Sequence, residues 1–365
     1  MDVDINPLRG HGPPDGISLA DSRVHTDPAE ALALLARCPA HAPTPLLTPT
    51  RLAEQLDIQR LYLKDERSRM GLGSFKALGA GYVIARMAAE RMDRPGHPAS
   101  ADDLAAALTG TVFVCASAGN HGMSVAAAAA VFGAQARIYL GGTVPDAFAE
   151  RLRARGATVV RVRGDYEASM VVAEQEAGEH GWLLVSDSSW PGYLDVPAQV
   201  MEGYLVMAAE MVDAVDPPAT HVLLQAGVGG MAAAVTALVR DRWGDRPTVV
   251  IVEPSRAPAL QASIRAGRPV TAPGPASSMG RLDCKDPSHL ALDELARAAD
   301  HFVTITDEEV AETVDLLRLH GIDTTPSGAA GVAVLHHARD HRETLGLDRD
   351  SRVVAFITEG PEFAA

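Results

Sequence analysis

"TVFVCASAGNHGMSVAAAAAVFG", residues 111–133, runs from an apolar stretch through small residues into an alanine-rich segment closed by Gly133. The apolar stretch reads as a buried strand and the alanine-rich one as a helix, so this is the opening half of a βαβ unit. Working outward, the same rhythm continues. "ARIYLGG", "TVVRV" and "WLLVS" are strands, separated by the helical "PDAFAERLRARG" and "YEASMVVAEQEAGEHG". A second series follows, with strands "HVLLQA", "TVVIVE", "HFVTIT" and "RVVAFIT" between further helical segments. On the other side, "RLYLKDE" is a strand and "SFKALGAGYVIARMAAERM" a helix capped by Ser74. Earlier still, "DPAEALALLARC" is a helix with Asp27 as its cap and Pro28 in its first turn. Alternation of this kind defines an α/β protein with two open parallel sheets. Residues 1–27 are rich in Pro, Gly, Asp and His and read as a poorly ordered lead-in, and residues 93–101 as a polar loop.

The totals exclude several classes. The chain has 365 residues, 47% of them hydrophobic, and a formal net charge of −15. That charge disfavours nucleic acid or an anionic membrane as a partner, and it does not say which small molecule binds. No apolar run reaches the ~18 residues of a membrane span. The opening "MDVDINPLRGHGPPDG" lacks the pattern of a secretion signal, so the expectation is a cytoplasmic protein. Cys38, Cys115 and Cys284 are too widely spaced for a disulfide framework or a zinc site, and no metal is expected.

Two strands run straight into glycine loops that open helices. One loop contains Gly119, Asn120, His121 and Gly122; the other contains Gly227, Gly229 and Gly230. Such loops let the backbone approach a ligand, and the free N–H groups of a helix start attract an anion. The second loop also satisfies a dinucleotide fingerprint, and the following strand ends on Glu253, where a ribose-binding acid would stand. A nicotinamide-dependent oxidoreductase is therefore one reading. It leaves "SFK" and "SAGNHG" unexplained. Pyridoxal phosphate accounts for all three, because it requires an amine, a phosphate cradle and donors for its ring. Lys76, just inside a helix start, would be that amine, with the helix dipole disfavouring its ammonium form.

At these residues the chain resembles a known family. "GSFKALGA", "ASAGNHG", "AGVGGMA", "TTPSGAAG" and "ITEG" occur in the order seen in the fold-type II (tryptophan synthase β-like) pyridoxal-phosphate enzymes, the threonine dehydratases and their relatives. Through "SDSSWPGYLDVPAQVMEGY", "SSMGRLDC" and "TEGP" it is most similar to the diaminopropionate ammonia-lyases, over about residues 40–362. The resemblance implies that Lys76 holds the cofactor as an imine and removes the α-proton, with Phe75 flanking the cofactor. Asn120 would donate to the phenolic oxygen, and Gly227, Val228, Gly229, Gly230 and Met231 would cradle the phosphate. Thr358 would meet the pyridine nitrogen, a hydroxyl partner that leaves it largely unprotonated. Ser117, Ala118, Gly119 and His121 belong to the loop that would hold the substrate carboxylate. Asp187 would hold the β-ammonium of a diamino acid and assist its departure.

The departures from the pattern carry information too. Ala118 stands where lyases that accept D-substrates carry an aspartate and racemising relatives a serine, so an enzyme restricted to L-amino acids is expected. Arg281 replaces a small residue of the lyase pattern; facing the site it would pair with an extra substrate anion, and the expectation is that it faces solvent. The resemblance further implies a large cofactor-binding domain from residues 28–79 and 191–365, a smaller inserted α/β domain at 80–190, and a homodimer. The implied reaction is β-elimination from an L-amino acid, most simply ammonia release from L-2,3-diaminopropionate to give a 2-keto acid. An L-serine or L-threonine dehydratase and a β-replacement enzyme are the alternatives.

Overall fold

The computed structural model describes residues 1–11, 17, 23–92, 101–164 and 166–361. Most of the expected polar loop, at 93–100, and positions 12–16 and 18–22 of the expected lead-in lie outside the described residues. Two compact units emerge, one made of Met1–Pro28, Ala42–Phe75 and Ser188–Ala365, the other of Ala29–His41 and Lys76–Asp187.

The strands in chain order are β1 (Asp2–Ile5), β2 (Leu46–Leu47), β3 (Arg60–Asp65), β4 (Val112–Ala116), β5 (Gln135–Gly141) and β6 (Thr158–Val162). They continue with β7 (Leu183–Leu184), β8 (His221–Gln225), β9 (Thr248–Pro254), β10 (His301–Ile305) and β11 (Arg352–Ile357). The first unit holds a seven-stranded sheet in the order β1-β10-β9-β8-β11-β3-β2. Its central run, β10 to β3, is parallel throughout, and β1 and β2 close the two edges antiparallel. The central strands are near-continuous Val, Ile, Leu and Phe because helices cover both faces of a parallel sheet. Leu63, Leu223, Val250, Val303 and Ala355 meet the apolar face of the helix Pro326–His337 in one core. Each fully buried Val or Leu there is worth roughly 1.5–3 kcal/mol.

The second unit holds a parallel four-stranded sheet, β6-β5-β4-β7. Its core gathers Val114, Ala116 and Tyr139 from the sheet with Ala173 and Ala177 from the helix Tyr166–His180.

The structure differs from the expected element and unit boundaries at three places. The lead-in is ordered at its start: Asp2–Ile5 pair with Thr304–His301, and the Asn6 amide caps three carbonyls at the end of the helix His289–Ala298. Polar composition concealed it, because Asp2 and Asp4 are held by Arg265 rather than by solvent alone. Ser74 forms an isolated bridge with Glu359, and the helix begins at Lys76. Finally, residues 29–41 and 76–79 belong with the second unit and not with the larger one. Leu35 of the helix Ala29–Leu35 lies against Gly81 of the helix Lys76–Met92, where an added Cβ would sit 3.9 Å from its Cδ2.

Candidate active site

In parallel sheets, ligand-binding loops collect at the carboxyl ends of the strands. In the second unit, β4 delivers residues 117–122 and β7 leads to Asp187. Gly122 is compelled here, since a Cβ would lie 2.2 Å from the Ser117 carbonyl oxygen. Its absence lets the loop fold tightly onto the start of the helix Asn120–Val131, for which Gly119 is the cap. Ser117 Oγ accepts from the Gly119 N–H at 3.3 Å. His121 was expected among the substrate contacts, yet its ring is 5% exposed and its Nε2 donates to the Val185 carbonyl at 2.8 Å. The other ring nitrogen, Nδ1, is buried and makes no hydrogen bond to the described residues. Asn120 is the first residue of the helix, and Ala118 brings no ionisable group.

The Lys76 amine forms an ion pair with the Asp187 carboxylate. Both side chains retain about one-fifth of their exposure, 20% and 19%, so the pair is reachable. Burial pushes the Asp187 carboxyl up, but the Lys76 ammonium and His121 outweigh it and hold it well below the ordinary carboxylate range. Reasoning from the helix dipole alone missed this partner, because the two residues are 111 positions apart. Beside them, burial pushes the Cys115 thiol far above its ordinary value, which makes it an inert core residue.

In the first unit, β8 delivers the second glycine loop, with Gly229 as the cap of the helix Gly230–Trp243. Gly229 has φ +101°, and a Cβ there would come within 3.0 Å of Ala291 Cβ. At Gly227 an added Cβ would sit 3.0 Å from Cys284 Sγ and 3.2 Å from the Arg281 carbonyl oxygen. Val228 and Met231 complete the loop, whose helix-start N–H groups are those an anion would take. The acid expected to bind a ribose is spent elsewhere. Glu253 is 1% exposed, and its two oxygens accept from the Leu260 and Gln261 N–H groups at 2.7 Å each. The dinucleotide reading thereby loses its acidic partner.

Because β11 lies between β8 and β3, Thr358 emerges between the glycine loop and the segment that leads to Phe75. The Phe75 N–H donates to the Thr358 carbonyl at 3.3 Å, and the Gly360 N–H donates to the Gly73 carbonyl at 3.0 Å. Phe75 is 9% exposed and meets the Tyr204 ring edge-on, with centroids 5.0 Å apart. Arg281 turns inward, against expectation: its Nε lies 3.7 Å from Glu359 Oε2, and its side chain is 24% exposed. Glu359 also accepts from the Thr325 hydroxyl. Sequence reading passed over Gln225, whose amide donates to the Thr358 hydroxyl at 3.3 Å. A polar residue ending an apolar strand was the available signal.

These residues fit pyridoxal phosphate: a reachable lysine, an anion cradle at a helix start with no room for side chains, and a buried hydroxyl for a ring nitrogen. Each of the two parallel-sheet units carries groups of the kind such a cofactor requires. The chain belongs to the family of pyridoxal-phosphate dependent enzymes, whose model matches residues 38–359. It is similar to the diaminopropionate ammonia-lyase of Salmonella typhimurium, at 30% identity over 91% of this chain and 88% of that protein. The Escherichia coli enzyme of the same name is 32% identical over 88% of this chain and 85% of its own length. A crystal structure of the Escherichia coli ammonia-lyase in complex with D-serine superposes with a TM-score of 0.88 at 28% identity, covering 98% of this chain and 93% of that one.

Proposed function

We propose that this enzyme is an ammonia-lyase that eliminates the β-amino group of L-2,3-diaminopropionate, or of a close β-substituted L-amino acid, to give a 2-keto acid. When bound, the cofactor supplies an electron sink for the bonds of the substrate α-carbon. Lys76 anchors the cofactor and, once released from it by the substrate amine, takes the α-proton on Nζ. Ser117 and the N–H groups at the start of the helix Asn120–Val131 hold the substrate carboxylate. Asn120 donates to the phenolic oxygen, the backbone of residues 227–231 cradles the phosphate, and Thr358 meets the ring nitrogen. Phe75 contributes a fixed apolar wall.

One observation carries the choice of leaving group: Asp187 already holds an ammonium, that of Lys76, and stays ionised while doing so. A carboxylate so placed suits a second ammonium, the β-amino group of a diamino acid, once Lys76 is engaged elsewhere. That group departs as ammonia with its bonding pair, and hydrolysis of the remaining enamine releases a second ammonia. Ala118 offers no proton acceptor, which supports action on L-substrates alone, with no racemisation. Arg281, neutralised by Glu359, is a packing residue in this reading and not a contact for a second substrate anion. The enzyme is further proposed to be a cytoplasmic homodimer, for which its mass in solution is the first check. Among the described residues no helix is long and apolar enough to cross a membrane.

The test is ammonia released per keto acid formed from L-2,3-diaminopropionate and, separately, from L-serine. Two per keto acid from the diamine, lost in Asp187→Asn, is the expected result. Turnover of serine alone, at one per keto acid, would make the protein a dehydratase, and full activity of Asp187→Ala on the diamine would refute the role given to that carboxylate. Product carrying an added thiol would make it a β-replacement enzyme.

A further inference from the structure

Gln225 ends β8 and is 2% exposed. Its Nε2 faces the Phe356 carbonyl at 3.0 Å, the Gly328 carbonyl at 3.2 Å, the Thr358 hydroxyl at 3.3 Å and the Ser327 carbonyl at 3.4 Å. Carbonyl oxygens only accept, so the nitrogen end of the amide must face them; a turned amide would set its own oxygen against them. On its other side, Gln225 Oε1 lies where a Cβ on Gly331 would approach to 3.0 Å, so a glycine makes room for the amide in the helix Pro326–His337. The orientation is therefore determined by the surroundings. The amide nitrogen carries two protons shared among these four acceptors, and toward the hydroxyl it can only donate, so the accepting atom of the Thr358 contact is Thr358 Oγ1. Its single proton must point away from Gln225.

We propose that Gln225 is a positioning residue that fixes the Thr358 hydroxyl as a proton donor toward the ring nitrogen of the cofactor. The proposal rests on the reading of Thr358 as that nitrogen's partner. A carboxylate in place of Gln225 would take the Thr358 proton and present the ring with a lone pair, which favours a protonated ring. The amide imposes the opposite polarity: the ring nitrogen accepts and stays unprotonated. The strength of the electron sink is thus set one residue behind the contact, by an amide whose orientation three backbone carbonyls dictate.

The test titrates cofactor-free protein with pyridoxal phosphate and follows absorbance, in Gln225→Met, which keeps the length without the donor, in Thr358→Val, and in the double variant. Each single change should weaken cofactor binding about tenfold, the worth of one hydrogen bond to a buried group, and shift the absorbance maximum in the same direction. The double variant should be no weaker than Thr358→Val, since the two residues act as one unit. Losses that multiply to about a hundredfold would show Gln225 to be structural only and overturn the proposal. If Thr358→Val has an effect and Gln225→Met has none, the inference about Gln225 fails while the reading of Thr358 stands. If Thr358→Val has no effect, both fail. Should Gln225→Met not fold, the side-chain amide protons of Gln225 in ¹⁵N-labelled protein must still move on Thr358→Val. Unmoved resonances would refute the hydrogen bond itself.

Discussion

Replacing Gly229 by alanine should damage the phosphate cradle by an amount that can be worked out from its surroundings. Gly229 has φ +101°, and an added Cβ would lie 3.0 Å from Ala291 Cβ, 3.2 Å from Leu260 Cδ1 and 3.4 Å from Leu260 Cδ2. Left-handed backbone costs an L-residue roughly 1–2 kcal/mol. Forcing a methyl into a filled space costs about 1–3 kcal/mol more. The sum, about 2–5 kcal/mol, has two outlets. Either the loop keeps its place and the protein loses stability, or the loop shifts and its N–H groups no longer converge on an anion. Gly229→Ala should therefore lower the urea midpoint, weaken cofactor binding by tenfold or more (about 1.4 kcal/mol per decade), or do both. Gly280→Ala is the matched control, because a Cβ there meets nothing within 4 Å and φ is ordinary. Cofactor titration and urea unfolding of both variants decide the matter. Wild-type midpoint and affinity in Gly229→Ala would refute the claim that this loop tolerates no side chain.

Two further outcomes are expected. Burial outweighs two N–H donors and pushes the Glu253 carboxyl up to about 8. The folded protein therefore keeps a proton that the unfolded chain gives up near pH 4.5, so this contribution is complete below about pH 4.5 and is lost as pH rises through about 8. At about 1.4 kcal/mol per pH unit the span is on the order of 5 kcal/mol. Urea midpoints of wild type should fall more steeply between pH 5 and 8 than those of Glu253→Gln, and equal slopes would refute a protonated Glu253. Separately, Gly178→Ala should raise stability by about 0.5–1 kcal/mol, read as a higher melting temperature. The glycine lies within the helix Tyr166–His180, is exposed, and has open space where a Cβ would stand; a lower melting temperature would count against that placement.

The strand-and-helix alternation was legible because a parallel sheet covered on both faces writes itself as runs of Val, Ile and Leu, as in β8 to β11. The glycine loops were legible because close backbone approach tolerates no other residue at Gly122 or Gly229. What the sequence concealed is long-range pairing. β1 is polar and becomes a strand only through its register with β10. Ser74 has the chemistry of a helix cap, and its backbone bridge to Glu359 is a long-range pairing that local sequence does not reveal. Glu253 stands where a ribose-binding acid would, and only its contacts with the helix Ala259–Ala266 reveal a structural carboxyl. The Lys76–Asp187 pair and the Gln225–Thr358 contact join residues more than a hundred positions apart. Local propensity says nothing about such partners.

The position of β11 bears on how the protein is made. It follows every other described strand in the chain, yet it sits inside the large sheet between β8 and β3. The inner edges of β8 and β3 can therefore gain their shared neighbour only after β11 has been synthesised. Its arrival also brings Thr358 to the Phe75 backbone. Synthesis order thus makes completion of the large sheet and the approach of Thr358 to Phe75 a single late event.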